Sequence, residues 1–233
     1  EKFVYIDSAS SKEIVKISNI DSYSIGTKES NDVRLLNFND EKIKFKIDGI
    51  QVECGLNLTG PKYIENFLLA FSMAYYSDQY NLEDLITSSE NLTNPPGRFE
   101  SIALENKTVV VDYAHSPLAI KEVIKYANSK YNNVTVVLGA GGDRDKSKRV
   151  KMGEATTNAN HVIITNDNPR SEDPMEISKN ILEGIPLNKN TDVILDRKEA
   201  IYKGVESLKD NEVLLILGKG HEKVQEIQNE LFP

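Results

Sequence analysis

The chain has no tryptophan, one cysteine and three histidines in 233 residues. The single Cys54 excludes an intrachain disulfide and fits a reducing compartment, so a cytoplasmic protein is expected. No apolar run approaches the roughly eighteen residues that a membrane-spanning helix needs. No excess of positive charge exists either. The formal net charge is −8, which argues against general binding to a phosphate backbone while leaving room for a local cationic pocket. No signal peptide is expected, because Glu1-Lys2-Phe3-Val4-Tyr5-Ile6 reads as a strand already under way. Internal repeats, low-complexity stretches and the G-x-x-x-x-G-K-[ST] phosphate loop are all missing. What remains is an ordinary globular composition, 39% hydrophobic and 27% charged. At this length it forms one large domain or two small ones.

The pattern changes along the chain. Lys42-Ile43-Lys44-Phe45-Lys46-Ile47 alternates polar and apolar, Asp48-Gly49 is a type I′ turn signal, and Ile50-Gln51-Val52-Glu53-Cys54 alternates again. A β-hairpin is expected, with Ile43, Phe45, Ile47, Ile50, Val52 and Cys54 facing a core. Ile64, Phe67, Leu68, Phe71 and Tyr75 then recur at helical spacing over 62–76, and a short helix is expected over 82–88. Thr93-Asn94-Pro95-Pro96-Gly97 is rigid punctuation and the expected boundary, dividing 1–93 from 94–233. Beyond it, strand and helix alternate. Strands are expected at 108–113, 134–139, 161–166, 191–195 and 213–217, and helices at 117–131, 149–158, 174–183 and 197–208. Ser116-Pro117 and Asp173-Pro174 pair a capping residue with a first-turn proline. The series implies an α/β fold, a doubly wound parallel sheet with right-handed crossovers.

In such a sheet the loops after the strands converge at one rim, where ligands bind. Asp112-Tyr113-Ala114-His115-Ser116-Pro117 offers a carboxylate and a helix start. Gly139-Ala140-Gly141-Gly142 is followed by a run in which Arg144, Lys146, Lys148 and Arg149 crowd together. Glycine lets backbone come close to a ligand, although such a charge run is more often a solvated face. Asp167-Asn168-Pro169-Arg170 presents an amide and a guanidinium from a turn stiffened by Pro169. Gly218-Lys219-Gly220-His221-Glu222 crowds three titratable groups into a glycine turn. The set suits a small zwitterion: Arg144 and Arg170 clamp a carboxylate, Glu222 and Asp167 pair with an ammonium, and carbonyls near Gly218 take further N–H donors.

Five stretches together resemble the carboxy-terminal half of the Mur ligase family. They are Pro96-Gly97-Arg98-Phe99-Glu100, Val111-Asp112-Tyr113-Ala114-His115-Ser116-Pro117, Gly141-Gly142-Asp143-Arg144-Asp145-Lys146-Ser147-Lys148-Arg149, Asp167-Asn168-Pro169-Arg170-Ser171-Glu172-Asp173-Pro174 and Gly218-Lys219-Gly220-His221-Glu222, in family order across 95–233. Residues 1–93 resemble the end of the family's central domain through Leu58-Thr59-Gly60 and Asn66. The resemblance implies a carboxy-terminal Rossmann-like domain that binds an amino acid, preceded by the last part of the central, ATP-binding α/β domain. It is strongest to the members that add the third, diamino residue of the peptidoglycan stem. These use ATP and Mg2+ to join UDP-N-acetylmuramoyl-L-alanyl-D-glutamate, through an acyl phosphate, to the amine of a diamino acid.

By that resemblance Asp167, Asn168, Pro169 and Arg170 form the motif that recognises meso-diaminopimelate. Arg144, Gly218 and Glu222 complete its site. Arg98 and Asp112 approach the phosphates and ribose of ATP, and Asn66 matches an ATP-side asparagine. Arg98 and Asn66 are the candidate catalytic residues. No metal ligand is expected here. The family's phosphate loop, its magnesium-supporting carbamylated lysine and its UDP-binding domain would lie before Glu1, so the chain is expected to be truncated and unable to hydrolyse ATP alone. Lys62-Tyr63 replace the aromatic-or-His and Asn usual after Gly60, so adenine recognition is either altered or passes to stacking on Tyr63; Ser147 replaces a common glycine. Lanthionine, lysine or ornithine as acceptor, a cyanophycin-synthetase-like or folylpolyglutamate-synthase-like ligase, and a non-catalytic binding module remain alternatives. Neither nucleic acid nor membrane is an expected partner, and a monomer is expected.

Overall fold

The computed structural model describes residues 2–18, 20–39, 41–228 and 230–232. The chain divides into two compact units, Glu1–Asn94 and Pro95–Pro233. In the first, β1 (Lys2–Ile6), β2 (Asp21–Gly26), β3 (Val33–Phe38), β4 (Lys42–Ile47) and β5 (Ile50–Gly55) form one sheet in that order. α1 (Ala9–Ser18) links β1 to β2, and α2 (Tyr63–Tyr76) and α3 (Leu82–Ser89) follow the sheet. β1, β2 and β3 run parallel, whereas β3–β4 and β4–β5 are antiparallel. The hairpin turn carries φ 47° at Asp48 and 79° at Gly49, the two left-handed residues that type I′ requires. Ile43, Phe45, Ile47, Val52 and Cys54 are buried, but Ile50 is 48% exposed. It is the first residue of the edge strand, paired with Ile47 at the hairpin end of the sheet. On α2 the expected face is buried at Ile64, Phe67, Leu68 and Phe71, with Tyr76 taking the last inward position rather than Tyr75.

The second unit holds β6 (Glu100–Leu104), β7 (Lys107–Asp112), α4 (Pro117–Asn128), β8 (Asn133–Leu138), α5 (Lys148–Ala155), β9 (His161–Ile164), α6 (Pro174–Leu182), β10 (Asn190–Val193), α7 (Arg197–Ser207) and β11 (Glu212–Leu217). A short antiparallel pair, β12 (Gln225–Ile227) and β13 (Glu230–Phe232), ends it. The six-stranded sheet has the order β10-β9-β8-β11-β7-β6. Four of its five strand pairings are parallel, and the sheet is mixed only because β6 pairs antiparallel with β7. Every residue of β6 is exposed, so no buried periodicity marked it in the sequence.

Both faces of the sheet are covered, as an α/β architecture demands. Val136, Leu138, Val162, Ile164 and Leu215 pack with Ile120, Ile124, Met152 and Ile181 of α4, α5 and α6. The alternate residues Val137, Ile163, Leu214 and Ile216 pack with Ala200 of α7. Burying each such side chain contributes about 1.5–3 kcal/mol. The starts of α4, α6 and α7 are capped as their residue types dictate. Ser116 Oγ accepts from Ala119 N at 3.4 Å, Asp173 Oδ1 from Met175 N at 2.8 Å and Asp196 Oδ1 from Glu199 N at 2.9 Å. The helices end earlier than the pattern predicts, α4 at Asn128 and α5 at Ala155. Among the described residues no helix is long and apolar enough to cross a membrane.

Candidate amino-acid-binding site

Strand register sets the site. Leu217 is level with Asp112, and Leu138 with Ile164, so the loops after β7, β8, β9 and β11 leave the sheet at one rim. Two of these loops touch backbone to backbone. Gly142 N donates to Asn168 O at 2.9 Å, and a Cβ placed on Gly142 would lie 1.9 Å from the Pro169 carbonyl oxygen. Only glycine permits that approach. Both arginines come close to Gly141: a Cβ there would lie 3.1 Å from Arg170 Nη1 and 3.8 Å from Arg144 Cγ. Arg144 is exposed. Arg170 is more constrained: Nη1 donates to Gly142 O at 2.8 Å, Nε pairs with Glu226 at 2.8 Å, and its backbone is left-handed with φ 51°.

A second cluster joins the loop after β9 to the turn after β11. The buried Lys219 ammonium donates to Asn168 Oδ1 at 2.8 Å and to Glu222 Oε2 at 3.0 Å, and Asn168 Nδ2 donates to the same Glu222 oxygen at 3.0 Å. Burial pushes the Glu222 carboxyl up, but the hydrogen bonds from Lys219 and Asn168 outweigh it and hold it below the usual range. The Asp167 carboxylate packs over Gly218, where a Cβ would come within 2.7 Å of Oδ2 at φ +108°. Behind it, Arg197 donates to the carbonyls of Asn166 at 3.2 Å and Leu217 at 3.1 Å, tying the ends of β9 and β11 together. Burial pushes the Arg197 guanidinium down, against the opposing pull of Asp167 and Glu222.

β12 straps the loop after β9 from outside. Gln225 Nε2 donates to Asp167 O at 2.8 Å, Glu226 N to Asn168 Oδ1 at 2.9 Å, and Arg170 N to Glu226 O at 3.0 Å. With two donors aimed at Oδ1, the Asn168 amide has one orientation, and its Nδ2 must face Glu222. The strap's residues were not singled out by the sequence, and neither was Arg197.

The ATP-side candidates of this unit lie at the end of β7, beside the turn after β11, where Tyr113 OH donates to Glu222 Oε1 at 3.4 Å. Asp112 is half-buried, and its carboxylate accepts from Phe99 N and Ala114 N, each at 2.8 Å. Burial pushes this carboxyl up, although the two amides pull against that. The Arg98 guanidinium lies 4.3 Å above the Tyr113 ring, with His221 stacked on that ring at 5.7 Å and His115 edge-on at 4.8 Å. His115 Nδ1 is 2.8 Å from the Tyr113 carbonyl, which can only accept, so that nitrogen carries the proton. Gly97, at φ +66°, packs against the backbone of Gly220 and His221, which brings the first and last of the five motifs together. Asn66 belongs to the other unit, where it is exposed on the first turn of α2. Arg149 departs from the solvated run expected of it. It is 1% exposed and forms a bidentate pair with Glu172, Nη1–Oε2 at 3.0 Å and Nη2–Oε1 at 2.9 Å. Among the described residues no group of three or more His, Cys, Asp or Glu could hold a metal ion.

The chain is similar to known proteins in sequence and in structure. Residues 97–220 match the family model described as Mur ligase, glutamate ligase domain. A UDP-N-acetylmuramoyl-L-alanyl-D-glutamate–2,6-diaminopimelate ligase of Aquifex aeolicus is 35% identical over 241 residues, covering 100% of this chain and 48% of its own. Its namesake from Halalkalibacterium halodurans is 41% identical over 182 residues, covering 77% and 37%. A solved structure of a ligase with the same name superposes with a TM-score of 0.63 at 29% identity, covering 98% of this chain and 50% of that one. The chain spans about half the length, or less, of the curated relatives it matches.

Proposed function

From the premise that this chain belongs to the Mur ligase family, we propose that it is the acceptor-binding part of an ATP-dependent amide ligase that adds meso-diaminopimelate to UDP-N-acetylmuramoyl-L-alanyl-D-glutamate in peptidoglycan synthesis. The observation that carries this reading is the convergence of Arg144 and Arg170 about Gly141, beside the Asn168–Lys219–Glu222 cluster. One end of the rim offers guanidinium N–H groups to a carboxylate. The other offers a carboxylate to an ammonium. The distal carboxylate of diaminopimelate needs a cation that lysine or ornithine would leave unused, which favours it over them; lanthionine carries the same charges and competes on this criterion.

The family uses ATP and Mg2+, which activate the D-glutamate carboxylate for attack by the acceptor amine. The work of this chain is to bind and orient that acceptor. Arg170, held at Nε and Nη1, presents its remaining donors in one direction. Glu222 and Asp167 bind the ammonium of the stereocentre that does not react, and Asn168 sets the orientation of Glu222. On the nucleotide side of the second unit, Arg98 meets phosphate oxygens and Asp112 the ribose; in the first unit, Asn66 is the ATP-side residue. Asp112 is compatible with that role because each carboxylate oxygen accepts one amide and retains a second acceptor position. We assign the 1–93 and 94–233 segments to the central and carboxy-terminal domains of the ligase, acting as a monomer in the cytoplasm.

Titration calorimetry of the 233-residue chain with meso-diaminopimelate and with lysine tests the proposal. Diaminopimelate is expected to bind more tightly. Arg170→Ala removes about 1.5–3 kcal/mol of that affinity and leaves lysine unaffected. Equal affinity for the two amino acids, or no response to Arg170→Ala, would refute it and favour a docking module without catalysis.

A further inference from the structure

The pair of a buried Arg149 and a mostly buried Glu172, 1% and 14% exposed at the side chain, is chemically expensive for a fold that needs only stability. An apolar pair of similar volume is often as stable as a buried ion pair, or more so. Here the pair is bonded into loop backbone rather than merely neutralised. Arg149 Nη2 donates to Gly141 O at 3.2 Å and Nη1 to Asn180 Oδ1 of α6 at 3.2 Å. Glu172 Oε1 also accepts from Asp143 N at 2.7 Å, and Oε2 pairs with Lys146 at 3.0 Å. The bonds therefore grip the residues immediately before and after Gly142. Gly142 supplies the carbonyl that Arg170 Nη1 donates to, and its N–H bonds Asn168 O. Arg144 follows two residues later.

We propose that Arg149 and Glu172 are positioning residues for acceptor recognition. The pair fixes the Gly142 carbonyl, and through it sets the separation and direction of the Arg144 and Arg170 guanidinia. It acts through Gly142 and touches no substrate. The consequence falls on ligands that use both arginines, which is why specificity for a second carboxylate depends on a pair buried beneath the site. The ligand side of this inference rests on the reading given under Proposed function; the loop side does not.

Two variants of the 233-residue chain test it. Arg149→Met with Glu172→Gln removes the charges together and keeps an acceptor for Asp143 N. Arg149→Lys keeps the charge but loses the planar fork. In both, the amide of Gly142 is expected to exchange with solvent at least about tenfold faster while those of Val136 and Leu215 hold. The ratio of diaminopimelate to lysine affinity is expected to fall by about tenfold or more. A merely structural role would lower both affinities together or neither. Unchanged Gly142 exchange overturns the proposal whatever the ligand results. Unchanged selectivity in a wild-type chain that does discriminate overturns it too. If the wild-type chain binds neither amino acid, the functional reading fails, and Gly142 exchange alone decides the positioning role. Loss of folding in both variants would also overturn it, by showing the pair to be a stability element.

Discussion

Acidification addresses the same pair through its titration. The Arg149 guanidinium holds the Glu172 carboxyl down to about 2 from an ordinary 4.5, against the upward push of burial and with help from Lys146 and the Asp143 amide. The folded state thus binds this proton more weakly than the unfolded chain. The resulting stability is complete above about pH 5 and is lost as pH falls through the folded value. At about 1.4 kcal/mol for each tenfold change in proton affinity, the whole gap is worth about 3 kcal/mol, and roughly 2 kcal/mol of it is gone by about pH 3. The side chain is only 14% exposed, so solvent screening removes little of this. Glu172→Gln cannot titrate. Urea melts followed on methyl resonances of Val136 and Leu215, both fully buried in the second unit, should show wild type losing about 2 kcal/mol more than Glu172→Gln between about pH 6 and pH 3. Other carboxylates here also titrate; those remote from Glu172 cancel in the difference, whereas Asp143, which the Ser171 hydroxyl holds low and the Glu172 charge pushes up, shifts with the substitution. Parallel pH slopes for the two proteins would refute the assignment of Glu172 as a strongly held carboxylate.

Glycine replacements separate two physical costs. Gly142→Ala meets the Pro169 carbonyl oxygen at 1.9 Å and should cost about 1–3 kcal/mol, with a fall in diaminopimelate affinity measured by calorimetry. Gly49→Ala finds open space but a φ of +79°, so the first unit should lose only about 1 kcal/mol in melts read on Phe45. Gly97→Ala faces both, with φ +66° and the His221 nitrogen 2.2 Å away, and the second unit should lose more than in Gly142→Ala. Ile164→Ala, in the fully buried core behind the rim, should cost about 2–5 kcal/mol while selectivity between acceptors in the folded fraction stays unchanged.

Local chemistry made much of the second unit legible. Ser116-Pro117 and Asp173-Pro174 named their own helix starts, and the runs that became β8, β9 and β11 were apolar because helices cover both faces. Asp48-Gly49 named its turn. β6 carried no such signal because none of its residues is buried, and β12 stayed hidden because its role lies in backbone bonds to residues almost sixty positions away. The site divides along the same line. The motifs pointed to the rim but could not rank the cations within it, since Arg144 and Arg149 have the same donors and stand in one short run. Helical phase separates them: Arg149 shares a face of α5 with the buried Met152 and Gly153, three and four residues on. That spacing was present in the sequence. It went unused because a guanidinium at a core position is rare unless it is paired, and its partner Glu172 lies 23 residues away beyond another strand. A motif residue is therefore not by that fact a ligand residue: of the two arginines in this motif, the exposed one is the one we propose meets a substrate, and the buried one is the one we propose aims it.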